Sequence, residues 1–341
     1  MNIIKSILRQ ETKLKRGWII SLLLILTIFN LLLFYARKEG TPPVLKAPPK
    51  YHFYVVLQNS IDPFWAEVKR GASDAAKTLG VAIEFNAPRF NDSEAEKGYL
   101  EIAGLAKVDG IITHATNDPE FIGRINEADQ QGIPVVTIET DAKDSRRKAF
   151  VGSNSFLVGE EAGKLIVQAT KGKGKVTMIM SGESQTDTAA QNSMLNGFQT
   201  ALKKAPEIQL AKIYTPKLGI LDTEEIARSI INRGDINAVF STDAIYTVGM
   251  AQTIVDLNKV GLLTIIGYGM SPEIGHYLQK GIVYAAVAGD PYAIGYESVK
   301  SLLEIKEEHN TSSFINTGIQ VVDQNNLASY QTRKDKDGWV P

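Results

Sequence analysis

The 341-residue chain contains no cysteine. That excludes disulfides, thiolate metal ligands and a lipid-modified N-terminal cysteine, and it fits an extracytoplasmic chain without requiring one. Histidine is scarce. His52, His114, His276 and His309 are scattered, no H-E-x-x-H occurs, and no metal site is expected. Charge of the two signs nearly cancels, at a formal net −1, and the body has no long basic run, so nucleic acid is not an expected partner. Phosphate-binding loops are missing too. G-E-E-A-G-K at Gly159 to Lys164 is one residue short of a Walker A loop and is followed by Leu165, and K-G-K-G-K at Lys171 to Lys175 reads as a solvated turn, so no cofactor is expected. What remains is a globular chain of one or two domains, long enough to bury a sizeable core.

One long hydrophobic run stands apart from that body. Residues 17–36 carry no charge and Asn30 is the one strongly polar side chain; about 20 helical residues at about 1.5 Å each span a bilayer core of about 30 Å. Lys5, Arg9, Lys13, Lys15 and Arg16 precede the run, against Arg37 and Lys38 after it, which predicts a cytoplasmic tail at 1–16, a transmembrane anchor at 17–36 and the remainder outside the cell. A cleaved signal peptide is the alternative. The apolar stretch is long for one and no clear A-x-A site follows, so an anchor is the expectation. The prolines of 37–50 then make a semi-rigid spacer.

From residue 51 the pattern is alternating. YHFYVVLQNSIDPFWAEVKRGASDAAKTLG reads as a buried strand (52–57), a polar loop (58–62) and a helix with Asp62 as N-cap and Pro63 at its first position. Apolar strands follow at 81–85, 110–115, 134–138, 175–180, 209–214, 238–241, 263–267 and 283–288, a short strand ends near Val151 to Ser155, and TGIQVVDQNNL reads as a last strand with polar turns. Helical stretches lie between them at 93–106, 119–131, 156–170, 188–204, 223–232 and 245–257, with another at 292–306. This alternation predicts an α/β fold of two doubly wound parallel sheets, divided near Val151 to Ser155. Ligands of such sheets bind beyond the carboxyl ends of the strands, which singles out the loop from Gln58 to Trp65.

The ordered segments YVVLQNSIDPFWAEVKRGASDAAKTLG, DGIITHATND, GIPVVTIETD, FVGSNSFLVGEEAGKLI, NSMLNGF, INAVFSTDAIYTVGMAQ, TIIGYGMSPE and AAVAGDPYAIGYESV together resemble the type I periplasmic sugar-binding proteins, the ribose- and galactose-binding group. The resemblance covers residues 51–335. It implies two lobes joined by three crossings, an N-terminal lobe of 51–152 with 290–315 and a C-terminal lobe of 153–289 with 316–335. It also implies a small ligand held between them. By matched position the ligand-binding residues are Asp62, Phe64, Trp65, Glu139, Thr140, Asn154, Asn192, Asp243, Tyr268 and Asp290, to which the strand-end rule adds Gln58. Thr140 and Asn192 stand where ribose-type members carry arginine, and Gly269 stands where they carry the second Asp, which argues against ribose itself.

Carboxylates and amides suit hydroxyls, and aromatic faces suit apolar C–H surface, so a sugar or cyclic polyol is the expected ligand. An acid-rich pocket would also suit a cationic one. Glu139 with Asp243 meets the minimum for a glycosidase, yet a binding pocket for hydroxyls uses the same residue types, so no enzyme is expected. A cytoplasmic tail of about 16 residues is too short to fold. Signalling therefore needs a membrane partner, a sensor histidine kinase being favoured and the permease of an ABC sugar importer being the alternative.

Overall fold

A computed structural model of the chain describes Trp18 and residues 24–31, 48–180, 188–216 and 220–336. It divides into two units, residues 1–48 and 49–341. In the first, Trp18 and residues 24–31 are helical and exposed. No helix among the described residues is long and apolar enough to cross a membrane. The expected cytoplasmic tail, most of the expected anchor at 17–36 and most of the spacer at 37–50 lie outside the described residues.

In the second unit the described strands form two six-stranded sheets. The first runs β2 (Ala82–Asn86), β1 (His52–Val56), β3 (Gly110–His114), β4 (Val135–Ile138), β5 (Ala149–Gly152) and β11 (Phe314–Asn316) from edge to edge. The second runs β7 (Glu207–Tyr214), β6 (Lys173–Ile179), β8 (Ala238–Ser241), β9 (Thr264–Tyr268), β10 (Ala285–Ala288) and β12 (Gln320–Asp323). All pairs are parallel except β10 with β12. The chain passes between the sheets three times, after β5, after β10 and between β11 and β12.

Burial on both faces explains the apolar strands. In β1, Phe53, Tyr54, Val55 and Val56 are all at most 2% exposed. Successive side chains point to opposite faces, so Phe53 and Val55 join the core with Val68 and Ile294, while Tyr54 and Val56 join the one with Leu100 and Ile125. The helices that supply these covers are α1 (Pro63–Leu79), α2 (Ser93–Ala106), α3 (Pro119–Gln130) and α9 (Pro291–Glu308). Around the second sheet lie α4 (Ser155–Ala169), α5 (Thr188–Leu202), α6 (Ile220–Arg233), α7 (Ala244–Asp256), α8 (Pro272–Gln279) and α10 (Leu327–Lys336). The sequence pattern left α8, β11 and α10 unassigned. α8 has 8 residues and β11 has 3, too few to show a period, and α10 is largely polar.

Two helix pairs approach backbone to backbone. A Cβ at Gly71 on α1 would fall inside the van der Waals radius of the Tyr292 carbonyl oxygen on α9, and one at Gly295 would meet the Val68 carbonyl oxygen. Gly159 on α4 and Gly197 on α5 repeat the arrangement against Met194 and Phe156. No rotamer change relieves a backbone clash. Gly71→Ala is therefore expected to destabilise the fold by about 1–3 kcal/mol, read as a shift in the denaturation midpoint in urea.

Candidate functional site

The loop after β1 is built by its own side chains. Asn59 Oδ1 accepts from the Ile61 and Asp62 amides (3.2 and 2.8 Å), and its Nδ2 donates to Asn91 Oδ1 at 2.7 Å. Asp62 accepts from the Phe64 amide at 2.8 Å and starts α1, as the sequence predicts. Gln58 and Phe64 are left half-buried at the strand end. Trp65, by contrast, is 3% exposed, with Phe64 edge-on at 5.0 Å and His114 edge-on at 5.6 Å. It is a core residue that also forms cavity wall.

Across the cleft the decisive pair is Glu139 and Tyr268. Glu139 follows β4 of the first sheet and Tyr268 ends β9 of the second, and the phenol donates to Glu139 Oε1 at 3.3 Å. Glu139 has φ +64°, a left-handed conformation that costs a non-glycine residue on the order of 1–3 kcal/mol. Its amide donates to the Val151 carbonyl at 3.1 Å, which anchors the turn against β5. The Tyr268 phenol is held well above its ordinary value, first by burial and then by the Glu139 carboxylate, so it remains a proton donor throughout the neutral range.

Two cavities open on either side of this pair. One of about 160 Å³ is lined by Phe64, Trp65, Glu67, Met270 and Tyr330, the other of about 700 Å³ by Glu96, His114, Thr140, Ser153 and Gln191. Gln58, Glu139, Asp243 and Tyr268 line both. The larger volume lies within the usual range of small-molecule sites, about 300–1,000 Å³. Among the described residues no group of His, Asp or Glu is arranged to hold a metal ion.

Of the residues expected around a ligand, Gln58, Asp62, Phe64, Trp65, Glu139, Thr140, Asp243 and Tyr268 line one or both cavities. Asp243 also caps α7, accepting from the Ile245 amide at 2.7 Å, and Thr140 donates its hydroxyl to the Ala115 carbonyl. Asn154, Asn192 and Asp290 are not among the residues that line either cavity. Asn154 is turned back to cap α4 and Asp290 to cap α9, through the Leu157 and Ala293 amides. Asn192 is exposed on α5, where its neighbour Gln191 takes the cavity-facing position. Glu96, His114, Gln191 and Tyr330 were not anticipated. His114 ends a strand, the position that the strand-end rule marks, whereas Tyr330 sits on the helix that carried no periodic signal.

A family profile described as a periplasmic binding protein domain matches residues 53–309. The chain belongs to that family. Among family members, the D-allose-binding periplasmic protein of Escherichia coli (strain K12) is 25% identical over 264 residues, 75% of this chain and 84% of its own length. The crystal structure of GanP, a glucose-galactose binding protein from Geobacillus stearothermophilus, is 36% identical with a TM-score of 0.75, covering 81% of this chain and 98% of that one. A chain of the XylFII–LytSN complex is 30% identical with a TM-score of 0.71, covering 82% and 99%.

The Tyr268 environment sets a pH dependence. A phenol whose folded value lies above its unfolded value of 10.0 stabilises the fold fully below pH 10.0, and that contribution is lost as pH rises through the folded value. Tyr268→Phe removes it. Between about pH 9 and about pH 11 the variant is expected to lose less stability than the unmodified chain, in paired urea denaturations.

Proposed function

We propose that the chain is a membrane-anchored extracytoplasmic binding protein that holds a small sugar or polyol between its lobes and presents that state to a sensor histidine kinase. The observation that carries this reading is the shared wall of the two cavities. Glu139, Asp243 and Gln58 offer acceptors and an amide for hydroxyls and Tyr268 offers aromatic surface for C–H faces, with Phe64 adding a second ring in the smaller cavity, and both sheets contribute. Relatives named for glucose-galactose and D-allose binding support the ligand class. The tail at 1–16 is too short to carry a signal alone, and a relative solved together with LytSN supports a protein partner. No catalytic step is assigned to Glu139 and Asp243, because the relatives are binding proteins and hydroxyl recognition accounts for both acids.

A thermal-shift screen of the full-length chain against pentoses, hexoses, inositols and amino sugars tests the ligand. A sugar or polyol is expected to raise Tm, by mass action worth about 2.7 kcal/mol at a hundredfold excess over Kd. Asp243→Asn then separates charge from capping, since Asn caps a helix as well as Asp does. Binding of the ligand found is expected to weaken by about 1–3 kcal/mol with the unliganded Tm nearly unchanged. Silence across the screen, or sustained product formation from a glycoside, overturns the binding reading.

The anchor is tested separately. The chain is expected to stay in the membrane pellet through an alkaline carbonate wash, and its release in full would reject the transmembrane reading.

A further inference from the structure

The turn that presents Glu139 is strained, and side chains outside both cavities hold it. The Thr140 amide donates to the Ile138 carbonyl at 2.7 Å across Glu139, whose φ is +64°. A bond from residue i+2 back to residue i around a central residue of positive φ marks the rare, strained form of the γ-turn. Such a conformation persists only where the surroundings over-determine it. Continued as a strand, the chain would instead put Glu139 on the face of Thr137, because side chains two apart share a face.

Asp141 and Arg147 supply those surroundings. The Asp141 carboxylate accepts from the Thr137 hydroxyl at 3.0 Å, so it bridges the residues on either side of Glu139. Arg147 closes on the same carboxylate with two bonds, Nε to Oδ1 at 2.5 Å and Nη2 to Oδ2 at 2.6 Å. Its Nη1 donates to the Ser313 carbonyl at 2.9 Å, and Ser313 directly precedes β11, the strand that leads into the third crossing. Both side chains are largely buried, and neither residue is among those that line a cavity. A guanidinium fork fixes direction as well as distance, which the point charge of a lysine does not. The far end of the loop has its own tie, from the Lys148 amide to the Val135 carbonyl at 2.8 Å, so the fork acts on the end that carries Glu139. We infer that Asp141 and Arg147 are positioning residues for Glu139: their ion pair holds the turn that aims its carboxylate at Tyr268 and into the ligand space, and neither touches the ligand. The ligand half of this assignment rests on the binding reading above, whereas the bond from Tyr268 to Glu139 exists without one.

A double-mutant cycle on the full-length chain tests the pair with no ligand present. Arg147→Lys keeps the charge and loses the fork, and Tyr268→Phe removes the phenol. Among the described residues no bond joins Arg147 to Tyr268, so independent effects would add. In paired urea denaturations at about pH 7, Tyr268→Phe is expected to lower the midpoint of the unmodified chain, and to lower it by about half as much or less once Arg147→Lys is present. Asp141→Asn keeps an acceptor for Thr137 and repeats the cycle, so the result does not depend on how well Arg147→Lys folds. Equal effects of Tyr268→Phe in all three backgrounds, zero included, make the pair a loop brace and overturn the inference. Calorimetry with D-galactose, D-glucose, L-arabinose and D-allose reads the ligand half. Arg147→Lys is expected to weaken the sugar bound by the unmodified chain by about fivefold or more, and to add no further loss to Glu139→Ala. Losses that multiply in that pair overturn the inference as well. Binding of none of the four sugars fails the binding reading for them, and the urea cycle alone then decides whether the pair positions Glu139.

Discussion

A parallel strand covered on both faces has no place for a charged side chain before its end, and holds there only small hydrogen-bonded polar groups such as Thr113 and Thr137. The strand-end part of the cleft follows from that constraint. In β1, β3 and β4 all but His52 are fully buried, so the chemistry of each segment is deferred to the residues that come after or at the last position: Gln58, His114 and Glu139. The second sheet repeats the rule with Asp243 after β8 and Tyr268 at the end of β9. Because the strands of each sheet run parallel, these positions collect at one edge of each sheet, and the three crossings hold the two edges together.

The same constraint gives several acids two jobs. A strand that ends in a loop feeding a helix leaves free amides at the helix start, and the residue best suited to accept them is also the one at the cavity rim. Asp62 and Asp243 do both, with one oxygen on an amide of the next helix and the side chain on the cavity wall. Asn154 and Asp290 do only the first. A cap is thus no evidence against a ligand role: Asp243 caps α7 and lines both cavities, whereas Asp290 caps α9 and lines neither.

This is why the fold was more legible than the site. Strand runs buried on both faces and capped helices are local properties, and β8 and α2 fall at the bounds read from pattern. The site depends on where short loops turn, and there pattern is silent. Nothing in GIPVVTIETD announces that Glu139 adopts a left-handed backbone, yet that conformation, held by the bond to Val151, places its carboxylate against Tyr268 on the other sheet, 129 residues away. Trp65 was singled out by its place after the loop, and it lines the cavity while also packing in the core. One residue along a helix turns a side chain by about 100°, so that Gln191 lines the cavity while Asn192 is exposed.

The bond between Glu139 and Tyr268 also bears on how a ligand could change the arrangement of the two sheets. It joins residues of different sheets, and a hydrogen bond to a charged group is worth about 1.5–3 kcal/mol. A separation of the lobes that breaks it must meet that cost, so the bond biases the chain toward the arrangement seen here before any ligand arrives. A ligand moves the balance further only by the difference between its affinities for the two arrangements. One held wholly by Phe64 and Asp62 on the first sheet would bind both arrangements alike and report nothing, however tightly it bound. A ligand touching Glu139 and Asp243 together would favour the joined arrangement. To shift a two-state balance from 1:99 to 99:1 takes about 5.5 kcal/mol of differential affinity, more than the interlobe bond supplies. Contacts to both walls are therefore what shifts the balance between the two arrangements, a stricter condition than binding alone.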